Sequence, residues 1–422
     1  MKKCNGLRMG RYSSVMLIAV SAQLFPTDAG TAWAQWPQWG GPNQDFKVDV
    51  KGLAPQWSES GPKQLWKRDL GEGYSAVVAD GDRIYTQYRG EDKEIIVAME
   101  AKTGKTIWEY KYDANPRDGH VHEFGDGPRS TPLVAGDYVY AIGVSSVMHC
   151  LKKDKGEVVW THDLWTEFNG NFLNHGYSSS PVAYGETIIA LVGGKEASIV
   201  AFDRKTGNVV WKKHDFENSY STPKFIKVGG EDQMVTFMKS EIIGLDPKTG
   251  ELKWQFAHGN QWGQNVCMPV WYPEKNILFF SSPEAGAKGL QLTKNGDKTD
   301  VKELWSTNKI QFYHVTAVGV GDHVYGSTGT RSPAFFCAVN IETGKIAWRQ
   351  RDFAKATTLY ADGRFIILDE DGQLGLVKAT PEDYSVVSKA GVLDKVAWTA
   401  PTVVGKTLYV RDKKSLLALD LG

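Results

Sequence analysis

The fold is decided by one short stretch, Ala98-Met99-Glu100-Ala101-Lys102-Thr103-Gly104-Lys105-Thr106-Ile107-Trp108, because it recurs along the chain. The same phrase returns at residues 201–211, 244–254 and 338–348, and each copy keeps Thr-Gly, three further residues and Trp. A looser copy at residues 150–160 keeps Gly156 and Trp160 but has Lys155 in place of Thr. The chain is therefore an array of repeated units.

Each copy has the pattern of a strand that enters a tight turn and continues as a second strand. The glycine supplies the positive φ that such a turn requires, at no steric cost. The residues after Gly104 alternate and end on Trp108, which suits a strand whose last side chain faces a neighbouring layer. We interpret these tryptophans as side chains that pack as wedges between adjacent sheets. The alternative, that they are ordinary core aromatic residues, agrees with this interpretation, because such a wedge is itself a core residue. The series comprises Trp66, Trp108, Trp160, Trp211, Trp254, Trp305 and Trp348.

The spacing of this series predicts the architecture. Successive tryptophans lie 42 to 52 residues apart, and a period of about 40–50 residues with four strand-like runs is typical of β-propeller blades. The last unit, from Trp398 to Asp420, lacks an outer strand, whereas residues 63–68 around Trp66 are an outer strand without a blade. We therefore predict an all-β, eight-bladed propeller of four-stranded antiparallel blades, with a ring closed by the N- and C-terminal strands.

The N-terminal residues differ from the repeats. Residues 1–34 have a basic start, an apolar run from Val15 to Leu24 and the small-x-small sequence Ala32-Trp33-Ala34, which is typical of a secretory signal peptide. The apolar run is shorter than the roughly 18 residues that a membrane span requires. We expect cleavage near Ala34, a periplasmic or secreted location, an irregular arm at residues 35–62 and the propeller at residues 63–422.

Charge and cysteine content exclude several classes of protein. The 422 residues contain 49 basic and 49 acidic side chains, and removal of residues 1–34 would take away four basic residues and one acid, leaving a slight acidic excess. Because no basic run remains, nucleic-acid binding is not expected. Cys150, Cys267 and Cys337 lie in strand-like runs without a Cys-x-x-Cys pair, so we predict buried thiols and no disulfide framework.

The inner strands of the predicted blades open with small polar residues before proline, as in Ser130-Thr131-Pro132, Ser179-Ser180-Pro181 and Ser221-Thr222-Pro223. With the Thr-Gly-x-x-x-Trp hairpins and the opening Trp36-Pro37-Gln38-Trp39-Gly40-Gly41-Pro42-Asn43, this scheme resembles the quinoprotein-type, or PQQ-like, β-propeller repeat family from about Trp36 to the end. The resemblance implies inner strands that line a central channel. It also implies either a quinone-dependent dehydrogenase or a non-enzymatic scaffold similar to the propeller subunit of the outer-membrane β-barrel assembly machinery.

The channel mouth supplies the first set of candidate binding residues. In this family the residues just before the inner strands surround the mouth, and we take the position three before the proline or its equivalent. Several of these residues are large and can form hydrogen bonds, which suits a funnel for a ligand or peptide; alternatively, they plug a narrow channel. The residues at this position are Tyr74, Arg129, Ser178, Tyr220, Val266, His314, Ala356 and Trp398, and we add Tyr177, the large neighbour of Ser178.

Three long connectors provide the second set. Residues 112–127, 163–176 and 257–265 are rich in Gly, Asn, His and aromatic residues. They should emerge at the channel mouth, where variable loops on a rigid scaffold often carry function. Trp165 and Trp262 are candidate exposed anchors for a partner, with Phe168 and Phe172; alternatively, these loops pack on themselves.

A histidine pair in the first connector raises the question of metal binding. In His120-Val121-His122 the two imidazoles would share one face of an extended segment, and Glu123 and Asp126 follow. The pattern lacks Cys and a fixed carboxylate spacing, so we predict no metal site.

The enzyme alternative requires features from which this chain departs. The resemblance implies a quinone held beside two adjacent, disulfide-bonded cysteines, with calcium and a carboxylate base, whereas this chain has no adjacent cysteine pair and no Cys-x-x-Cys-His haem motif. We therefore expect no cofactor, and PQQ with calcium under the dehydrogenase alternative alone. The expected protein is a monomeric binding or scaffold module whose partner is an envelope protein, a peptide or a small molecule in the funnel. A carbohydrate-binding or hydrolytic propeller would require paired carboxylates that face the channel.

Overall fold

The computed structural model of the chain describes Met1 and residues 35–313, 317–329 and 334–422. Apart from Met1, the predicted signal peptide lies outside the described residues, as does His314, so both stay predictions. Within the described residues, no helix is long and apolar enough to cross a membrane.

Strands dominate the described residues and form eight sheets. Two strands, β1 (Lys47–Val48) and β2 (Lys63–Asp69), precede the first complete blade. From the innermost to the outermost strand, blades 1 to 4 consist of β3 (Val78–Asp80), β4 (Arg83–Gly90), β5 (Lys93–Glu100) and β6 (Thr106–Asp113); β7 (Leu133–Ala135), β8 (Tyr138–Ile142), β9 (Val147–Lys152) and β10 (Val158–Asp163); β11 (Val182–Tyr184), β12 (Thr187–Gly194), β13 (Ala197–Asp203) and β14 (Val209–Lys213); and β15 (Lys224–Val228), β16 (Glu231–Phe237), β17 (Glu241–Leu245) and β18 (Leu252–Ala257).

The second half of the ring follows the same order. Blades 5 to 7 consist of β19 (Val270–Tyr272), β20 (Ile277–Ser282), β21 (Gly286–Asn295) and β22 (Lys298–Thr307); β23 (Val318–Val320), β24 (His323–Ser327), β25 (Phe336–Asn340) and β26 (Ile346–Gln350); and β27 (Thr357–Ala361), β28 (Arg364–Leu368), β29 (Gln373–Ala379) and β30 (Tyr384–Gly391). Blade 8 contains β31 (Thr402–Val404), β32 (Thr407–Arg411) and β33 (Ser415–Asp420), and β2 is its outermost strand.

The two ends of the chain close the ring in blade 8. β2 pairs antiparallel with β33, from Lys63 opposite Asp420 to Asp69 opposite Ser415. Buried Arg411 in β32 ties blade 8 to blade 1, since its Nη1 donates to the carbonyl of Gln87 at 2.9 Å. The predicted eight-bladed, all-β propeller with terminal-strand closure is confirmed.

Tryptophan–glycine contacts fill most joints between blades, on the face where the hairpins turn. A methyl group added at Gly156 of blade 2 would come within 2.5 Å of the Trp108 ring of blade 1. Gly156 also has a φ of 71°, so both space and backbone conformation require glycine there. Trp108 Nε1 donates to the carbonyl of Lys153 in blade 2 at 3.0 Å. The same ring-on-glycine contact recurs at Trp66 and Gly104, Trp160 and Gly207, Trp211 and Gly250, and Trp305 and Gly344.

Two further joints have the tryptophan but not the glycine contact. At the joint between blades 4 and 5, the hairpin of β21 and β22 is long and its turn glycine, Gly296, does not contact a tryptophan. A methyl group added at Gly296 would meet nothing within 4 Å. Trp254 of blade 4 therefore donates within its own blade, to Gln233 Oε1 at 2.8 Å. Trp348 of blade 6 donates to the carbonyl of Thr380 in blade 7 at 2.8 Å. In the described blades, the contact between the tryptophan and a turn glycine is therefore lost where the outer hairpin of the next blade lacks the Gly-x-x-x-Trp sequence.

The first part of the arm, residues 35–48, crosses the channel. Its second part lies on blades 7 and 8, where the N–H of Trp57 donates to Ser388 Oγ on β30 at 2.8 Å and the N–H of Ala54 donates to the carbonyl of Leu421. Trp36 bridges to Ala79 on the innermost strand of blade 1, and the carbonyl of Pro37 accepts from the N–H of Val134 on the innermost strand of blade 2. β1 pairs in parallel with β27, the innermost strand of blade 7. Because these strands lie on different sides of the ring, this first part of the arm occupies the channel between them.

A buried lysine fastens the arm to blade 4. Lys224 Nζ donates to the carbonyl of Gln44, while Gln44 Oε1 accepts from the N–H of Phe225 at 3.0 Å. Burial lowers the pKa of Lys224 to about 8, because an ammonium group loses hydration in the interior. These contacts hold the arm inside the channel at blade 4.

Candidate binding pocket at the channel mouth

A pocket of about 490 Å³ opens where the inner strands begin. This volume lies within the range of about 300–1,000 Å³ that is typical of ligand sites. Trp39 of the arm belongs to its lining, so the arm forms the floor. The segments just before the inner strands supply the walls, through Tyr74, Arg129, Ser178, Tyr220, Val266 and Trp398.

Aromatic rings form a continuous arc along one wall. Tyr74 and Trp398 are stacked, with ring centroids 5.7 Å apart and planes 27° from parallel. Phe124 contacts Trp398 at 5.6 Å and His175 at 5.8 Å. His175 in turn contacts Tyr220 at 6.0 Å. The arc offers flat faces on which an aromatic or apolar group can pack.

Arg129 supplies positive charge to this wall. Its guanidinium lies over the Tyr74 ring at 5.5 Å and donates to the backbone carbonyls of Gly125 and Gly127, each at 3.1 Å. Burial lowers the pKa of Arg129, but a guanidinium group stays protonated at neutral pH. The pocket therefore contains a permanent cation held by neutral partners.

The acids nearest to Arg129 are engaged elsewhere. Glu72 Oε1 forms an ion pair with Lys413 at 2.7 Å, and Asp126 Oδ1 lies 2.7 Å from His122 Nδ1. Both acids act on Arg129 through their charge, but among the described residues neither forms an ion pair with it. The guanidinium is thus available to an anionic ligand.

The second cation of the pocket is already neutralised. Lys355 Nζ lies 3.1 Å from Glu370 Oε2, which also accepts from Trp398 Nε1 at 3.3 Å. Glu370 itself stands behind the lining, and no lining residue in the described part of the chain carries a carboxylate. The pocket therefore presents net positive charge and aromatic faces to a bound molecule.

Neutral polar groups continue the lining from His175 to Tyr313. Tyr313 Oη donates to Gln264 Oε1, and Gln264 Nε2 lies 3.0 Å from His175 Nε2. Burial raises the pKa of Tyr220 and of Tyr313 to about 12. Burial, with the charge of Arg129, lowers the pKa of His175, so the imidazole is neutral at pH 7. These groups offer hydrogen bonds without adding charge.

Four of the large residues predicted at the mouth are brought together in this pocket: Tyr74, Arg129, Tyr220 and Trp398. Trp262 also lines it from the third connector and is 60% exposed, and its Nε1 donates to Glu284 at 3.1 Å. Their geometry suits a binding role, which itself stays a prediction.

Two other predicted positions lie behind the wall. Tyr177 is fully buried, and its hydroxyl donates to the carbonyl of Leu191 at 2.8 Å, so Ser178 faces the pocket in its place. Ala356 is also fully buried, and its neighbour Lys355 lines the pocket. Neither Tyr177 nor Ala356 is placed to touch a ligand.

The prediction that Trp165 is an exposed anchor is wrong. Trp165 is 3% exposed and packs in the core shared by blades 2 and 3. It lies in the single-turn helix α1 (Leu164–Glu167), where Asp163 accepts from the backbone N–H groups of Trp165 and Thr166. This cap turns the indole inwards, and Arg117 covers it at 4.8 Å. The connector at this point packs on itself.

Sequence reasoning missed several lining residues: Phe124, His175, Gln264, Tyr313 and Lys355. The first three lie in the connectors whose composition pointed to the mouth. Tyr313 and Lys355 each lie one residue before the position taken from the sequence in blades 6 and 7.

Calcium, which the dehydrogenase alternative implies together with PQQ, does not fit the described residues. The cysteines are free and buried at positions 150, 267 and 337, which confirms the predicted thiols and leaves no vicinal disulfide. Calcium takes oxygen ligands, chiefly carboxylates. Among the described residues that line the pocket, none carries a carboxylate. The pocket retains an arginine and flat aromatic faces, which suit a planar anion without a metal.

Comparison with known proteins gives one family match and several distant relatives. A family model described as "Outer membrane protein assembly factor BamB" matches residues 47–177 and 92–350. Outer membrane protein assembly factor BamB of Yersinia pestis is 25% identical over 245 residues, covering 53% of this chain and 56% of that protein. A quinoprotein ethanol dehydrogenase of Pseudomonas putida is 23% identical over 278 residues, covering 62% of this chain and 41% of that enzyme. The chain thus spans about half the length of these relatives.

Solved structures show the same architecture. The crystal structure of BamB from Moraxella catarrhalis matches with a TM-score of 0.59 and 16% sequence identity, covering 85% of this chain and 99% of that one. At this identity the likeness shows the fold alone.

Proposed function

The chain belongs to the PQQ-like repeat family whose model is described as outer membrane protein assembly factor BamB, and from this premise we propose that it is a binding scaffold of the cell envelope. Its ligand is an extended protein segment that combines aromatic side chains with negative charge. The segment enters the pocket at the channel mouth. The protein acts by holding this segment, not by chemical conversion.

The observation that carries the proposal is the chemistry of the lining. The aromatic arc from Tyr74 to Tyr220 provides stacking surfaces, and Arg129 provides a cation that no described carboxylate pairs. A carboxylate that reached Arg129 would form charge-assisted hydrogen bonds in a partly dehydrated site. A basic or purely polar segment would bring no such gain.

The location also forms part of the proposal. The relative from Yersinia pestis is named for outer membrane protein assembly, and residues 1–34 have the composition of a secretory signal. We expect the chain expressed in a Gram-negative host to be found in the periplasm, and a variant without residues 2–34 to stay in the cytoplasm. Equal fractionation of both proteins would contradict this part of the proposal.

Calorimetric titration tests the ligand class. The purified chain from residue 35 is titrated with a peptide that alternates aromatic and acidic residues and with a second peptide in which every acid is replaced by its amide. We expect the acidic peptide to bind about tenfold or more tightly, because a charge-assisted hydrogen bond contributes roughly 1.5–3 kcal/mol. Arg129→Gln should abolish this preference.

Arg117→Gln is the matched control, because Arg117 lies on the same face but is already paired with Asp163 at 3.2 Å. This variant should keep the preference for the acidic peptide. Equal affinity for both peptides in the wild-type protein, or equal losses in the two arginine variants, would overturn the proposal.

The second candidate function is quinone-dependent oxidation of an alcohol or sugar. It is favoured by the similarity to a quinoprotein ethanol dehydrogenase and by the stacked rings beside Arg129. Titration with PQQ, with and without calcium, separates the two candidates. Tight binding that requires calcium would put the enzyme first. Binding that is independent of calcium and lost in Arg129→Gln would support the anion-binding pocket instead.

A further inference from the structure

A cluster of two histidines and one aspartate lies in the connector that enters blade 2. His122 Nδ1 and His120 Nε2 lie 2.7 and 3.4 Å from the same oxygen, Oδ1 of Asp126. One ligand atom from each residue lies within 4.8 Å of the other two. A loop of seven residues therefore brings three metal-binding groups to one point.

His120 is the unusual member of the cluster. Its side chain is 1% exposed, and in the described residues its Nε2 has no hydrogen-bond partner. A buried polar nitrogen without a partner is costly and requires an explanation. This nitrogen is directed towards Asp126 but is not bonded to it, as expected of a ligand whose partner is an ion between the two groups.

Although the sequence pattern alone predicts no metal site here, we propose that His120, His122 and Asp126 form a binding site for one divalent transition-metal ion of the zinc class. Neutral imidazoles and a carboxylate are borderline ligands that suit zinc. In a tetrahedral zinc site with metal–ligand distances of about 2.1 Å, neighbouring ligand atoms lie about 3.4 Å apart. The separation of 3.4 Å between His120 and Asp126 already has this value, and the one between His122 and Asp126 reaches it by a small rotation of the exposed His122 side chain. Water would take the fourth position.

The site has a clear relation to the pocket but does not depend on the ligand proposed above. Phe124, which lines the pocket, lies between the metal ligands in sequence. The carbonyls of Gly125 and Gly127, which hold Arg129, flank Asp126. A bound ion would cross-link this connector and fix the wall that Arg129 and Phe124 form.

Equilibrium dialysis of the chelator-treated chain from residue 35 against zinc, with metal analysis, tests the site. We expect one zinc ion per chain, and at least about 10-fold weaker binding in His122→Ala and in Asp126→Asn, because loss of a ligand should cost no less than the loss of an outer-shell partner. His122 is 67% exposed on its side chain, so its replacement leaves the fold intact. Glu123→Gln, a charge change in the same loop outside the cluster, should bind zinc like the wild-type protein.

Cobalt provides a second measurement on the same proteins. Cobalt in the wild-type site should show the intense visible absorption of four-coordinate geometry, and this absorption should be lost in His122→Ala. Absence of stoichiometric zinc from the wild-type protein would overturn the inference. Unchanged zinc binding in both ligand variants would also overturn it, because the ion would then lie elsewhere.

Discussion

The hairpin face and the mouth face of the propeller use different contacts to join neighbouring blades. The joint between blades 1 and 2 shows both kinds of contact. On the hairpin face, Trp108 packs on the turn glycine Gly156, and the same pair returns in four other joints. On the mouth face of the same joint, buried Glu94 accepts hydrogen bonds from the Tyr112 hydroxyl at 2.7 Å and from the N–H of Val144 at 3.0 Å. This polar contact belongs to that joint alone among those described above.

The difference separates the residues that make the ring from those that make the site. Contacts that recur from blade to blade serve a need that every blade has, which is to bury the side of the neighbouring blade. The mouth connectors differ in length and composition, so their side chains can meet a requirement that occurs once. Changes on the hairpin face should therefore cost stability, and changes at the rim of the mouth should cost binding.

The largest expected effect tests the hairpin face. Trp108→Ala should lower the free energy of unfolding by about 3–5 kcal/mol, because it removes a large buried ring and leaves a cavity between blades. Chemical denaturation measures this change. A loss below about 1 kcal/mol would mean that the repeated tryptophans do not hold the blades together.

The next effect separates close packing from backbone conformation at the turn glycines. Gly156→Ala should cost about 2–4 kcal/mol, because the new methyl group meets the Trp108 ring and the backbone is left-handed. Gly81 has a similar φ of 62°, but a methyl group there meets nothing within 4 Å. Gly81→Ala should therefore cost about 1 kcal/mol. Equal losses by denaturation would remove the tryptophan contact from the explanation.

A pH dependence tests the polar end of the joint. Burial raises the pKa of Glu94 from 4.5 to about 7, although hydrogen bonds from Tyr112 and Val144 act in the opposite direction. The unfolded chain ionises this group near pH 4.5, whereas the native protein keeps the proton up to about pH 7. Raising the pH through this window therefore destabilises the native state, by about 3 kcal/mol in total.

Glu94→Gln removes this titration. Between about pH 4.5 and 7, the unfolding free energy of the wild-type protein should fall relative to that of the variant. Above pH 7 the difference between the two proteins should be constant. Denaturation curves of both proteins across this range measure the difference. Parallel pH profiles would show that Glu94 is ionised in the native protein.

The smallest expected effect on stability is at the rim of the mouth. Trp262→Ala should change the free energy of unfolding by less than about 0.5 kcal/mol, because the side chain is 60% exposed. The same variant should weaken binding of the acidic aromatic peptide. A large loss of stability would place Trp262 with the structural tryptophans and remove it from the site.

The repeats made the ring predictable, because most outer hairpins carry their own turn glycine and tryptophan. The mouth was predictable where a proline fixed the start of an inner strand, as at Arg129 and Tyr220. It was not predictable where tertiary packing decides. Trp165 turns inwards because Asp163 caps a single helical turn, and no periodicity in the loop shows this.

The floor of the pocket was beyond the sequence for a related reason. The arm carries aromatic and amide groups typical of a loop, but its course depends on contacts with strands more than a hundred residues away. Gln44 with Phe225 and β1 with β27 are examples. Sequence spacing gives no information about such pairs.

Amide hydrogen exchange of the chain from residue 35, with and without the acidic aromatic peptide, tests the division between the two faces most directly. We predict slower exchange in residues 112–127, 163–176 and 257–265, which carry Phe124, His175 and Trp262, and no change in the hairpin turns at residues 101–105 and 153–157. Protection of the hairpin turns, with the mouth connectors unchanged, would contradict the assignment of the binding site to the channel mouth.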